Sequence, residues 1–240
     1  MQAYRIGCSG WSYRHWVGDF YPRGTRPGEM LERYAERFDT VELNTTFYRL
    51  PSQAAVRGWR DRTPDGFLFA AKMSRLATHY HRLRRPEDVA TFVERLAPLG
   101  DKLGPVLVQL PPSLPPDLPR LTAFLDLFPP GQKVAVEFRD RGWLTSRTFK
   151  ELEARSCAVC LVDGDERYLA PATADFAYVR WHGRGGAAYS YSDEEIGEWA
   201  DLLDRLPVRD VYGYWNNDLE GAAPRNAQRM MDILRPRLIA

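Results

Sequence analysis

Eight short apolar runs punctuate the chain, each ending in a polar residue just before the pattern changes. They cover residues 4–8, 40–44, 67–72, 105–110, 133–138, 157–163, 176–182 and 210–216. Their length and their valine, alanine and aromatic content read as strands. Between them, apolar residues recur at helical spacing behind recognisable starts. Residues 28–38 place Met30, Leu31, Tyr34 and Phe38 along one helical face. Ser52 caps a stretch through Arg62, and Pro86 opens residues 86–99 in the first turn, where a missing N–H does no harm. Residues 118–128 are closed by Pro129-Pro130, and Ser146 starts a segment through Arg155. Ser192-Asp-Glu-Glu195 is a capping box ahead of residues 196–206, and a last helix is predicted from Pro224 to about Leu234.

Strand followed by helix, repeated about every 30 residues, is the grammar of βα units. It suits a closed (β/α)8 TIM-type barrel or an open doubly wound sheet. A chain of 240 residues with eight strands favours the barrel. The phosphate turn of the open sheet is also missing, since Gly7-Cys-Ser-Gly10 lacks a third glycine and an immediate helix. No linker or low-complexity stretch divides the units, so residues 1–240 read as a single α/β barrel domain.

Alternation predicts which side chains reach the barrel mouth, where the carboxyl ends of the strands open into loops. In the fifth run Ala135, Glu137 and Arg139 share one face, and Val134, Val136 and Phe138 share the other. The same rule sends Glu42 and Asn44 inward from the second run, Lys72 from the third and Gln109 from the fourth. It assigns Asp163 to the interior with Leu161 and Val159, and Arg180 and His182 with Tyr178. On the eighth run one of Asn216 and Asn217 faces in, and alternation leaves both open. Taken singly, Gln109, Asn217 or Asp163 is equally well explained as a strand terminator reaching solvent. The spaced pairs Glu137 with Arg139 and Arg180 with His182 point to a site. Glu42, Glu137 and Asp163 nearly cancel Lys72, Arg139 and Arg180, so the ring is either a binding site or an internally paired network.

Composition narrows the partners. A formal net charge of +1 offers no bulk field for nucleic acid or an anionic membrane, so any anion specificity must be local. No apolar run approaches the roughly 20 residues of a membrane span, and the start of the chain lacks the apolar segment of a signal peptide. A soluble cytoplasmic protein is expected. The three cysteines are too few for a disulfide scaffold. Cys157 and Cys160 have redox-motif spacing, but three residues apart in a strand they point to opposite faces and read as core thiols.

Seven segments together resemble a known family. They are Gly7-Cys8-Ser9-Gly10-Trp11-Ser12-Tyr13, Val41-Glu42-Leu43-Asn44-Thr45-Thr46-Phe47-Tyr48, Phe69-Ala-Ala-Lys72, Val108-Gln109-Leu110-Pro111-Pro112, Glu137-Phe138-Arg139 with Trp143, Tyr178-Val179-Arg180-Trp181-His182-Gly183, and Tyr214-Trp215-Asn216-Asn217. Occurring in order from the first strand to the last, they resemble the domain of unknown function 72 family, also called YecE-like. The resemblance implies a TIM-type barrel and brings no established activity. Trp215 departs from the pattern, which often carries phenylalanine there.

Four chemistries are expected from these residues. The leading one is an enzyme for a small anionic or phosphorylated substrate. Arg139 and Arg180 would grip the anion bidentately with Lys72 as a point charge, and Glu42 or Glu137 would be the general base. In this reading Asp163 completes the catalytic group with His182 as proton shuttle, Asn44, Gln109, Asn216 and Asn217 orient the substrate, and Trp11 and Tyr48 flank it. The second is a divalent-metal sugar isomerase or phosphodiesterase or endonuclease using Glu42, Glu137, Asp163 and His182. Three cations in the same mouth disfavour it, no cofactor is otherwise evident, and four histidines are too few for a multi-zinc site. The third is glycoside hydrolysis by Glu42 and Glu137, with Trp11, Tyr13, Trp16, Phe20, Tyr21, Phe47, Tyr48 and Trp143 as stacking rings or as a plug. The fourth is a small-ligand or nucleic-acid binding module without turnover. The basic segment Arg75 to Arg85, with His79, Tyr80 and His81, reads as a solvated face rather than a nucleic-acid contact. The glycines around Arg184 read as a connector or an anion-gripping loop.

Overall fold

A computed structural model of the chain describes residues 2–164, 169–186 and 188–235. Eight parallel strands form the centre: β1 (Ala3–Cys8), β2 (Thr40–Leu43), β3 (Leu68–Lys72), β4 (Leu103–Leu110), β5 (Val134–Phe138), β6 (Ala158–Asp163), β7 (Phe176–Trp181) and β8 (Asp210–Trp215). Their hydrogen-bonded order is β1-β8-β7-β6-β5-β4-β3-β2, which curls into a nearly closed (β/α)8 barrel. Around it lie α1 (Met30–Ala35), α2 (Thr45–Tyr48), α3 (Gln53–Asp61), α4 (Glu87–Leu96), α5 (Leu118–Leu125), α6 (Ser146–Glu153), α7 (Asp193–Asp204) and α8 (Ala222–Leu234). The link from β6 to β7 carries no helix among its described residues.

The predicted helix starts are made by the expected caps. Ser52 Oγ accepts from the Ala55 amide, and Ser192 and Glu195 close a reciprocal capping box. The helix predicted from Ser146 starts there, with Thr145 as its cap. Among the elements that escape the periodic pattern are the single turn α2 and a π turn at Leu76–Tyr80. Neither is long enough to show a period.

The barrel interior is filled asymmetrically. Phe176, Tyr178, Tyr212 and Tyr214 project inward from β7 and β8, while β3, β5 and β6 present Ala70, Ala135, Ala158 and Cys160. Ring volume on one wall is thus matched by missing volume on the other, which is how an interior reaches close packing without voids. Valines 106, 108, 134, 136, 159 and 179 face the helices instead. Cys157 and Cys160 fall on opposite faces, as alternation requires.

Closure fails at one seam, and a side chain from α1 fills it. Tyr34, fully buried, accepts a hydrogen bond from the Cys8 amide of β1 at 2.8 Å and donates to the Thr40 carbonyl of β2 at 3.0 Å. One phenol therefore does what a direct ladder does elsewhere. Gly7 is required beside it, because a Cβ there would lie 2.3 Å from the Thr40 carbonyl oxygen and 2.7 Å from the phenol oxygen. Tyr34→Phe leaves a buried N–H and C=O without their partner, and the expected loss is about 1–3 kcal/mol. Urea unfolding measures it, and an unchanged midpoint would mean that packing alone holds the seam.

Candidate functional site

The inward alternation of three strands brings Glu42, Glu137 and Arg180 together at the mouth. Arg180 is only 1% exposed and both carboxylates are wholly buried. Arg180 Nη2 donates to Glu42 Oε2 at 2.9 Å, and Nη1 donates to Glu137 Oε2 at 2.8 Å. Ser9 Oγ donates to Glu42 Oε2 at 2.6 Å, and Tyr178 donates to Oε1 at 2.7 Å. Removing three charges from water is costly, and this set of charge-assisted hydrogen bonds is what offsets the loss.

These contacts decide protonation. Burial alone would raise the Glu42 carboxyl, but the Arg180 charge and the donors Ser9 and Tyr178 outweigh it and hold it below the ordinary value. Glu137 is opposed by burial in the same way and is held well below the ordinary value by Arg180, His182 and Arg139. Both stay ionised at neutral pH. Glu42 already accepts three hydrogen bonds, two at Oε2 and one at Oε1, and each of them makes it a weaker base, which speaks against the expected general-base role. Arg180 is likewise committed to its two glutamates and is not presented as an anion clamp.

Above this buried layer lies a more open one. Glu137 Oε1 has no hydrogen-bond donor, although Arg139 Nη2 makes an ion-pair contact with it at 2.5 Å. Arg139 Nη2 is also 3.1 Å from His182 Nε2, and Asn216 Nδ2 is 3.0 Å from His182 Nδ1. Burial and the Arg180 charge lower the His182 pKa, so the imidazole is neutral at neutral pH. Lys72 has no carboxylate partner among the described residues, and its Nζ sits 4.1 Å from the centre of the Phe47 ring. Burial and Arg180 push its pKa down to about 8. Asn44 Oδ1 stands 3.5 Å from Arg180 Nη2, while Gln109 is paired in register with Glu137.

Three of the predicted residues are placed elsewhere, and a fourth stands on the rim. Asp163 does not face the interior, because β6 turns Ala158, Cys160 and Val162 inward. Its carboxylate lies under the helix layer, wholly buried, and accepts from Arg184 Nε at 3.0 Å, Arg184 Nη2 at 2.9 Å and Trp199 Nε1 at 2.6 Å. Asn217 is also turned away and donates to the Tyr189 carbonyl at 2.8 Å, which leaves Asn216 as the inward asparagine. Trp11 packs edge-on against Trp59 at 5.6 Å, outside the barrel wall, although it lines a cleft of about 130 Å³ with Tyr13, Glu42 and Asn44. Tyr48 stands exposed on the rim. Trp16, Tyr21 and Trp143 are buried packing residues rather than exposed stacking rings. Arg184 bridges Asp163 and Glu195, so it anchors the glycine-bearing loop instead of reaching for an anion.

Ser9, Tyr178 and Arg184 complete these networks without having been singled out as site residues. Ser9 and Tyr178 lie inside two of the recurrent segments, whereas nothing in the chain marks Arg184 as the partner of Asp163. The metal-ligand set proposed from sequence is not assembled. Asp163 points outward, both Glu42 oxygens are taken, and among the described residues no three His, Cys, Asp or Glu side chains come close enough to share an ion.

Comparison with known proteins fits this arrangement to a family. The family model "Protein of unknown function DUF72" matches residues 5–239, nearly the whole chain. The chain belongs to the DUF72 family. Among its relatives, the UPF0759 protein YecE of Escherichia coli K12 is 39% identical over 137 residues, covering 56% of this chain and 47% of that protein. The match therefore spans about half the length of that relative. The UPF0759 protein YunF of Bacillus subtilis 168 is 27% identical across 95% of this chain and 94% of its own. A DUF72 family crystal structure from Thermotoga maritima MSB8 superposes with a TM-score of 0.86 at 29% identity, covering 98% of this chain and all of that one. The DUF72 barrel accounts for the fold. No helix of the described residues is long and apolar enough to cross a membrane.

Proposed function

We propose that the barrel mouth binds a small anion and acts on it by proton transfer. Lys72 and Arg139 contact the charge, His182 handles the proton, and Asn44, Gln109 and Asn216 orient the remainder. The observation that carries this reading is the pairing of Glu42 and Glu137 with Arg180. Two carboxylates face three cations, and the cation both carboxylates share is the one at the bottom, which leaves the positive balance on Lys72 and Arg139 at the rim. A largely buried lysine and a more open arginine above a committed ion triad form a local anion trap in a molecule of almost neutral net charge. Lys72, with its pKa down to about 8, is the group of this mouth that changes charge near physiological pH, and His182, kept neutral there, is free to accept a proton.

The same geometry opposes glycoside hydrolysis. That reaction needs one carboxyl kept protonated near neutrality, and both glutamates here are shifted in the opposite direction.

Sulfate tests the anion reading without titrating itself. Its binding is expected to raise the melting temperature, and Lys72→Met is expected to weaken it about fivefold, the loss of about 1 kcal/mol for a charge contact that keeps some access to water. Lys72 is ammonium below about pH 8 and neutral above it, so affinity is expected to fall as pH rises from 7 to 9. Sulfate binding that is absent, or that is unchanged in the variant and flat in pH, would remove Lys72 and the anion site with it.

A further inference from the structure

We infer that the ligand of this mouth is a nucleotide, its phosphate at Lys72 and Arg139 and its base stacked on Tyr48 and Tyr80. This rests on the anion reading above and names its substrate class. The observation is a pair of large rings left in water. Tyr48 is 66% exposed and Tyr80 is 65% exposed, although both belong to segments that begin at the carboxyl ends of β2 and β3. Both rings flank a single guanidinium. Arg75 lies 5.5 Å from the centre of the Tyr48 ring and 5.7 Å from that of Tyr80. Tyr80 closes the π turn, an irregularity that frequently accompanies functional sites.

This rim is continuous with the anion site. The Phe47 ring meets Tyr48 edge-on at 5.1 Å, and Lys72 Nζ lies 4.1 Å from the centre of the same Phe47 ring. Lys72 and Tyr48 thus share Phe47 as a neighbour, which puts the phosphate and base positions on one stretch of rim. Exposed tyrosine faces and a guanidinium stack on any nucleobase, because every base has a π face. A sugar phosphate would satisfy Lys72 and leave both tyrosines in water. A long polyanion is not favoured, since the net charge of +1 supplies no extended field.

Calorimetric titration of the full chain with inorganic phosphate, ribose 5-phosphate and adenosine 5′-monophosphate separates the two readings. Adenosine 5′-monophosphate is expected to bind about tenfold more tightly than ribose 5-phosphate. In the Tyr48→Ala/Tyr80→Ala double variant that ratio is expected to fall to about one, and melting should stay close to the parent because both rings are exposed. Equal affinity for the two ribose compounds, or a ratio that survives the double substitution, would overturn the nucleotide assignment while phosphate binding upholds the anion site. Failure of all three to bind would overturn both.

Discussion

Arg180→Leu is expected to destabilise the protein by about 3–5 kcal/mol, a large share of the 5–15 kcal/mol that holds a typical domain together. The lost attraction is the smaller part of the effect. Glu42 would remain buried with no counter-charge, and Glu137 would keep only its contact with Arg139 at the rim, so much of their desolvation would be uncompensated. The substitution is also expected to reverse the acid dependence of stability. In the parent both carboxyls lie below their ordinary value, so the unfolded chain binds more protons and stability falls as pH drops below about 4.5. In the variant burial dominates at Glu42, whose only cationic partner is gone, so its carboxyl is raised, the folded state binds more protons there, and that contribution to stability falls as pH rises through the carboxylate range. Guanidinium unfolding at pH 5 and pH 8 distinguishes the two. A variant with the slope of the parent would show that Arg180 does not set the charge state of the glutamates.

Asp163→Ala carries the second largest expected effect, about 3 kcal/mol. It strips a wholly buried carboxylate from Arg184 and from the indole N–H of Trp199, while Arg184 keeps its contact with Glu195 and partial access to water. The variant is expected to melt lower yet to bind sulfate with the affinity of the parent at a temperature where it is folded. Loss of sulfate binding from a folded variant would restore Asp163 to the site from which its orientation removes it.

These two residues also mark how far the chain could be read. Glu42, Glu137, Arg180 and His182 are legible in the strand pattern, because alternation is fixed by the pleat and any run long enough displays it. The same rule misleads at Asp163. The β6 run is apolar on both faces, so its polar end suggested an inward parity that the small residues Ala158 and Cys160 contradict. The signal was present, since the alanines of β3 and β5 also mark the side that must yield to the rings of β7 and β8. The choice between Asn216 and Asn217 had no such signal. It was made by which neighbour each amide met, His182 for one and the Tyr189 carbonyl for the other.

Local patterning was enough for the number of strands, the alternation of strand with helix and the residue types at the carboxyl ends of the strands. Those features follow from local periodicity and from capping chemistry within a few residues. Which charges neutralise one another was settled by the folded chain. Glu42 and Arg180 are 138 residues apart, and the energy of their pairing depends on distance and on exclusion of water, neither of which is written in any short stretch of chain. That pairing turned an apparently balanced ring of charges into a buried triad beneath a positive rim.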